Sequence, residues 1–567
     1  MESTVDYQKL RREITWETAR KDLDLTEGSL LNIAHLCVDR HLALGRGDKL
    51  ALVHEDHAGE VRKFTYKDVS QLSNGWAEFL EGCGIGPLDR VALFLDRNPE
   101  LYIGFMGILK RGAVVVPLFS AFGEDALIQR MESCKAKAII TQRRHLGKAR
   151  KARERLPELK TIIVIDQEEG DRKLREGEVA HTMIEHRVDR YPVFRAWPEC
   201  PSVLHYTSGT TGAPKGAMHV HGSILAQYLT TKVVLDVRDD DIYWCTADPG
   251  WVTGTSYGII GPWALGATQV VLDAGFSSER WYQTIQKHRI TVWYTAPTAI
   301  RMLMKDGTAE VRKHDLSSLR HMASVGEPLN PEGVHWGREA FRLDFHDTFW
   351  QTETGSIVVT NLPGMPVKPG SMGRPFPALE ATVVDAKTGQ PITEIGKVGL
   401  IAIRPPWPSM MRTYWNNSAT YYGKFLNGWY ICGDRASLDK DGYFWFSGRD
   451  DDVINTGGHL VGPFEIESAL LEHEAVAESA AIGKPDPVNM EVVKAFVALK
   501  PGFSPSSDLE LDIMNFIRKK LSPLAMPQEI EFLERLPKTR SGKIMRRMLK
   551  AKEWGQEVGD TSTLDDE

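Results

Sequence analysis

A chain of 567 residues is too long for one hydrophobic core, so at least two domains are expected. Hydrophobic residues at 42% and charged residues at 26% exclude a disordered chain, and a net charge of −7 argues against a protein built to coat nucleic acid or an anionic membrane. The scattered cysteines (Cys37, Cys83, Cys134, Cys200, Cys245 and Cys432) include no C-x-x-C pair, which suits reduced thiols rather than a disulfide framework or a zinc site. The start is polar and no apolar run reaches membrane-spanning length, so a soluble cytoplasmic protein is expected, with no nucleic-acid and no membrane partner.

In chain order, Leu50–Val53 and Lys63–Thr65 read as a hairpin around His57-Ala-Gly59, and Thr65 opens a helix with Asp68 placed for a capping box. Arg90–Leu95 reads as a buried strand, Glu100–Lys110 as a helix and Ala113–Pro117 as a further strand. Ala138–Thr141, Thr161–Ile165, Ser202–His205, Gln269–Leu272 and Thr291–Tyr294 continue the series, with helical stretches between several of them. This alternation predicts α/β layers with largely parallel sheets. After Pro369 the texture turns to short strands and Gly turns (Leu379–Asp385, Gly399–Ile403, Tyr443–Phe446), a β-rich subdomain over about 370–449. Beyond Gly448-Arg-Asp-Asp-Asp452 the reading is helix Pro463–Leu471, strands Glu478–Ile482 and Val492–Leu499, helix Leu509–Lys520 and a basic segment. Two domains follow, 1–449 and 450–567. No internal repeat is visible.

The stretch Tyr206-Thr-Ser-Gly-Thr-Thr-Gly-Ala-Pro-Lys-Gly216 concentrates small residues and hydroxyls after a strand. Such a loop lets backbone amides approach phosphate oxygens while Lys215 adds charge. It is not a Walker A loop, since two residues separate Gly209 from Gly212 and Gly216 follows Lys215.

That string resembles the phosphate loop of the acyl-adenylate-forming enzymes, which include acyl-CoA synthetases, luciferases and peptide-synthetase adenylation domains. Further blocks in the same order are similar to that family's motifs: Tyr294-Thr-Ala-Pro-Thr298, Ser324-Val-Gly-Glu-Pro328, Asp347-Thr-Phe-Trp-Gln-Thr-Glu-Thr-Gly355, Tyr430-Ile-Cys-Gly-Asp434, Gly448-Arg449 and Pro537-Lys-Thr-Arg-Ser-Gly-Lys543. The resemblance spans roughly Leu50 to Lys550 and is strongest to the AMP-forming acetyl-CoA synthetase branch. It implies an N-terminal region of two α/β subdomains plus a β-barrel-like one, followed by a small mobile α+β C-terminal domain. It also implies ATP, CoA and a short carboxylic acid, acetate first, as substrates, with magnesium as cofactor.

Residue by residue, the resemblance implies ATP contacts from Thr207, Ser208, Gly209, Thr210, Thr211, Gly212 and Lys215, and from Gly326, Glu327 and Pro328. Asp347, Thr348, Phe349, Trp350, Gln351 and Thr352 join them, with Asp434 and Arg449 on the ribose and Glu353 on magnesium, a hard ion that suits an oxygen ligand. Lys543 is the implied catalytic cation, and Asp451 the hinge that withdraws it before the thiol arrives. Gly457, Gly458 and His459 would line the pantetheine tunnel and Arg518 would meet the nucleotide part of CoA. Apart from the resemblance, Arg143, Arg144, Lys148, Arg150 and Lys151 read first as a charged helix face, with contact to CoA phosphates as the alternative. Trp251, Val252, Thr253, Val325 and Trp350 match the acid pocket, which the indole closes to longer chains. His473 matches a cation position.

The chain departs from the branch in three places: Leu460 stands for an arginine that reaches the outer phosphates, Thr255 for a frequent His, and Phe349 for a frequent Trp. Rival readings are a ligase for propionate or a longer or aromatic acid, a loader of a carrier protein, and a catalytically dead nucleotide sensor. The intact Lys543, Glu353, Asp434 and Arg449 argue against the last. Acylation of Lys543 by a protein acetyltransferase, reversed by a deacetylase, would erase the charge that the site needs. Reaction direction and oligomeric state are not readable from these residues.

Overall fold

The computed structural model describes residues 5–26, 29–167, 173–207, 214–456, 459–487, 489–539, 543–558, 561 and 564. Among the described residues, two large mixed sheets carry the α/β region. One runs Arg374–Pro375, Val359–Thr360, Phe345–Phe349, His321–Val325, Val292–Thr295, Ile242–Cys245, Thr268–Asp273, Leu50–Asp56 and Val61–Thr65 in spatial order. The other runs Thr413–Tyr414, Lys215–Val220, Pro201–Thr207, Val114–Pro117, Arg90–Phe94, Ala138–Thr141, Thr161–Val164 and Glu178–Ala180. Both are parallel in the middle, as the alternation predicts. The antiparallel pairs sit toward their edges, including the Leu50–Asp56 hairpin and the pair Pro201–Thr207 with Lys215–Val220. Thr65 and Asp68 form the expected capping box on helix Tyr66–Gly82.

Ala381–Val384, Gly399–Ile403, Trp429–Leu438, Phe425–Leu426 and Phe444–Arg449 make a third, wholly antiparallel sheet. One continuous apolar cluster joins all three, from Leu52 and Leu93 through Tyr294 to Ile401 and Phe444. The fourth sheet (His459–Val461, Ile454–Thr456, Met490–Leu499, Val476–Asp486, with Glu529–Phe532 parallel on Met490–Leu499) has a core of its own. Ile454, Ile466, Leu470, Val493, Ile513 and Ile517 build it with the helices Pro463–Leu471 and Ser507–Lys520. The third sheet ends at Arg449 and the fourth begins at Ile454.

Helix Pro99–Lys110 shows how tightly the α/β layer is packed. Asn98 caps it by accepting from Leu101 N–H, Pro99 occupies its first turn, and it lies against helix Tyr66–Gly82. The two helices approach so closely that a methyl on Gly107 would sit 2.3 Å from Trp76 Cβ, whereas a methyl on Gly147, in helix Leu146–Arg155, would meet nothing within 4 Å. Gly107→Ala is therefore expected to lose about 1–3 kcal/mol by overpacking. Gly147→Ala should gain up to about 1 kcal/mol from helix propensity. Thermal melts of the two variants beside the parent should move in opposite directions.

Candidate active site

The carboxyl ends of two neighbouring parallel strands supply the centre of the site, the usual place for a ligand on an open α/β sheet. His321–Val325 delivers Val325 and the loop Gly326–Pro328, and Phe345–Phe349 delivers Asp347, Thr348 and Phe349 before Trp350–Gly355. Gly326 turns the first loop at φ +97°, a region that L side chains avoid. Asp347 is buried beneath that loop, where Ser324 Oγ donates to it at 2.6 Å and Leu329 N–H at 3.4 Å. Burial pushes its carboxyl pKa up to about 7. Both oxygens thus hold the loop in place. Glu327 accepts from the Thr298 hydroxyl and from Arg301 at 2.8 Å. Against burial, which raises its pKa, Arg301 holds that carboxyl below the ordinary range.

Trp350 is fixed on two sides. Its indole N–H donates to Tyr294 Oη at 3.2 Å, and its ring meets Tyr257 edge to face at 5.0 Å. Tyr257 is itself anchored, accepting Ile357 N–H at 2.7 Å and paired with the Thr230 hydroxyl at 2.8 Å. Trp350 and Val325 belong to one buried cluster with Val252 packed against it. Trp251 caps the short helix Val252–Thr255 and packs on Phe119 and Phe122, and Thr253 is half-buried in that helix.

Gln351 links the sheets by donating to Cys432 O at 3.0 Å and to the Asp434 carboxylate. Asp434 lies opposite Arg449 on adjacent antiparallel strands. Burial pushes its pKa up to about 6, opposed by Arg449 and Lys543. Arg449 grips Asp451 with two nitrogens, at 2.9 and 3.1 Å, and Asp450 takes Arg435. At Lys543 the backbone N–H donates to Thr539 Oγ1 at 3.0 Å and the C=O accepts Thr539 N–H at 2.7 Å. Loss of hydration in the cleft and the Arg449 cation lower its ammonium pKa, while Glu327 and Asp434 act against them. Residues predicted from separated parts of the chain therefore converge: Glu327, Asp434, Arg449 and Lys543 share one electrostatic neighbourhood.

Other predicted positions vary. Thr207 and Lys215 face each other across the strand pair, whereas Ser208, Gly209, Thr210, Thr211 and Gly212 lie outside the described residues. Glu353 is half-buried and accepts the Tyr414 hydroxyl at 2.7 Å, and the Thr352 carbonyl is bonded to His219 at 2.8 Å. His459 and Leu460 lie on a short strand, and Gly457 and Gly458 lie outside the described residues. Arg518 is exposed. His473 has both ring nitrogens in use: Nδ1 accepts Ala475 N–H at 3.2 Å, which leaves Nε2 as donor to Asp512 at 3.2 Å. In that arrangement neither ring nitrogen offers a metal a free lone pair. Among the described residues no cluster of three or more His, Cys, Asp or Glu side chains is placed to hold a metal. The basic group expected at CoA phosphates is largely paired internally: Arg150 binds buried Glu178 through two nitrogens, Lys151 binds Glu124, and Arg144 binds Asp96. Sequence reasoning missed the Tyr257, Arg301 and Tyr414 supports, because single polar residues without a motif give no signal; it quoted Thr298 inside a motif but not its bond to Glu327.

These features set buried carboxylates, a guanidinium and a lysine near the carboxyl ends of the sheets. Residues 40–415 match the model of the AMP-binding enzyme family, and 465–543 match that of the AMP-binding enzyme C-terminal domain. The chain belongs to the AMP-binding enzyme family. It is 47% identical to an acetyl-coenzyme A synthetase of Bacillus subtilis, over 99% of this chain and 97% of that protein. It is 41% identical to one of Pyrobaculum arsenaticum, over 95% of this chain and 86% of that protein. Among solved structures it resembles the anthranilate CoA ligase AuaEII in complex with anthranoyl-AMP, with a TM-score of 0.81 and 30% identity over 92% of this chain and 97% of that one. A Brucella canis acyl-CoA synthetase gives a TM-score of 0.75 and 31% identity over 97% and 99%. No helix among the described residues is long and apolar enough to cross a membrane.

Asp347 generates a stability prediction. Its folded pKa of about 7 lies above the unfolded value of about 3.9. The folded state therefore prefers the protonated form, and stability is lost as pH rises from about 4 through 7. Asp347→Asn removes the charge: its amide oxygen can still accept Leu329 N–H, and its NH2 can meet the Ser324 hydroxyl, which must turn from donor to acceptor. It should melt above the parent at pH 8, with the gap closing as the pH is lowered toward 5.

Proposed function

We propose that this chain is an AMP-forming acetyl-CoA synthetase that works through an acetyl-adenylate. The near full-length identity to proteins named acetyl-coenzyme A synthetase carries this reading. In the first step a carboxylate oxygen of acetate attacks the α-phosphorus of ATP, and the bond to the β-phosphate breaks to release pyrophosphate. In the second the sulfur of CoA, its proton lost, attacks the acyl carbon, and AMP leaves.

The first step brings an anion to a polyanion, so it needs preorganised cations. Lys543 would orient the acetate and offset charge at the α-phosphate. Thr207, Lys215 and the loop between them would cradle the outer phosphates, Gly326–Pro328 with Thr348, Phe349, Gln351 and Thr352 the adenosine monophosphate, and Asp434 with Arg449 the ribose. Glu353 fits a magnesium ion as a half-buried oxygen ligand that Tyr414 orients. When bound, that ion would neutralise phosphate charge. Residues 450–567 would then rotate about Asp451 so that Gly457-Gly-His459 and Arg518 meet CoA. Acylation of Lys543 would silence only the first step.

Acetate-dependent ATP–pyrophosphate exchange, with AMP release that requires CoA, tests the reaction; its absence across a panel from acetate to benzoate would overturn it. Lys543→Ala should slow adenylate formation roughly 100- to 1,000-fold and largely spare thiolysis of supplied acetyl-adenylate. Equal loss of both half-reactions would assign the lysine elsewhere. Trp350→Gly should transfer preference from acetate to propionate and butyrate, because each methylene that a pocket newly accepts is worth roughly 10- to 200-fold in kcat/KM. An unchanged acid profile in that variant would remove Trp350 from the pocket.

A further inference from the structure

Behind the helix Val252–Thr255 lies a buried cavity that the proposed reaction does not use. Ser202, His205, His219, Ser223, Gln227 and Thr255 are among its lining residues, drawn from the strands Pro201–Thr207 and Lys215–Val220 and the helices beside them. Three of its side-chain atoms, Ser202 Oγ, Ser223 Oγ and Gln227 Oε1, are buried without a hydrogen-bond partner among the described residues, in side chains no more than 4% exposed. A buried polar atom left unpaired costs about 1–3 kcal/mol, so three around one cavity point to a shared ligand. The histidines beside them are held neutral by burial, which lowers the pKa of His205 and of His219, so the walls offer no charge to an ion. What fits is a small neutral molecule that both donates and accepts, which is water.

Two relays lead from this cavity to the candidate site. His205 Nε2 lies 2.7 Å from Thr255 Oγ1, which in turn donates to Val252 O at 3.0 Å. With the hydroxyl proton committed to that carbonyl, the imidazole is the donor, so one tautomer is fixed. Gln227 Nε2 donates to Ser256 Oγ at 3.0 Å, and Ser256 donates to Gly355 O at 3.2 Å. The first relay pins the turn that carries Val252 and Thr253, and the second pins the end of the Gln351–Gly355 segment.

We propose that the cavity is a buried water site, and that His205, on its wall, fixes the wall of the acid pocket through Thr255. His205 is then a specificity-determining positioning residue that touches no substrate. This rests on reading Val252 and Thr253 as that wall.

The test uses the full chain. A crystal structure at about 1.5 Å should place a water within about 3.2 Å of Ser202 Oγ, Ser223 Oγ and Gln227 Oε1. His205→Leu, which keeps bulk but loses the donor, should lower the acetate-to-propionate ratio of kcat/KM roughly tenfold while the KM for ATP stays put. His205→Gln, which restores an N–H, should recover most of that ratio. Should His205→Leu not fold, Thr255→Val breaks the same relay and should shift the ratio in the same direction. A dry cavity overturns the proposal, as does an unchanged ratio in a folded variant of an acetate-preferring enzyme. A parent that ignores acetate, or a Trp350→Gly variant with an unaltered acid profile, would instead mark failure of the underlying pocket reading.

Discussion

The carboxylate of Glu467 accepts Arg546 Nε at 2.6 Å, a second nitrogen of the same guanidinium, and the backbone N–H of Ala481 at 2.9 Å. Burial works against a charged Arg546, and Glu467 overrides it. Arg546 opens the helix Arg546–Trp554, three residues after Lys543, so this clamp sets where the hairpin carrying the lysine leaves the fourth sheet. On the other side of the hairpin Lys538 binds Glu478 at 2.8 Å. Removing one member of a buried ion pair costs about 3–5 kcal/mol, because the other is left uncompensated. The lysine is therefore delivered on a loop held at both ends. By contrast, the named bonds across to the large body are polar and partly exposed: Lys305 to Glu478 at 2.9 Å and Asn330 to Ser468 at 2.7 Å. Exposed polar contacts of this kind are each worth about 1 kcal/mol or less. Strong bonds within the small unit and weak ones across to the body would let it move without deforming the hairpin.

The large body is built on the opposite principle. Its apolar cluster runs unbroken from the first sheet into the third, and three acid-pocket candidates, Trp350, Val325 and Val252, belong to that cluster or pack against it. Trp350 cannot turn without losing both the Tyr294 hydrogen bond and the Tyr257 ring contact. Tyr257 ties it in turn to Ile357 and Thr230. Packing at crystal-like density makes such a wall discriminate by volume, since no neighbour yields to an added methylene. On the proposed function, a rigid pocket facing a movable cation would divide the work: the body would choose the acid and the small unit would time the chemistry.

Most of this was legible in residue order. The strands Ala138–Thr141 and Gly399–Ile403 and the helix Pro463–Leu471 have the predicted limits, because apolar runs bounded by turn residues admit one reading. The hairpin edge of Leu50–Asp56 with Val61–Thr65 was legible from its turn, whereas the antiparallel pairs at Val359–Thr360 and Arg374–Pro375 were not, since their direction is not marked by a hairpin turn. At the site, Glu327, Asp434, Arg449 and Lys543, all from ordered motifs, act on one another electrostatically. Charge partners were not legible. Arg143 to Lys151 looked like a phosphate-facing surface, yet Glu178, Glu124 and Asp96, distant in the chain, take up Arg150, Lys151 and Arg144. Ion pairing is a tertiary property, and a run of cations says nothing about which anions fold against it. The Asp512 partner of His473 was hidden for the same reason.

Asp434 shows why the two halves of the molecule are electrically coupled. Its carboxyl is buried, with a pKa of about 6, and Arg449 and Lys543 are the cations that keep it from rising further. Arg449 is tied to Asp451 by two bonds, so it is shared with a neighbouring anion. Lys543 is the cation that belongs to the small unit. If that unit withdraws, Asp434 loses part of its support and its proton affinity rises. Linkage makes the effect reciprocal: whatever keeps Asp434 charged also favours the arrangement with Lys543 in place. A ribose hydroxyl donating to the Asp434 carboxylate would stabilise its charged form, and so would hold the lysine in the cleft while nucleotide is bound. The same carboxylate would then both grip the nucleotide and sense its presence, with no further element needed to tell the small domain that the first substrate has arrived.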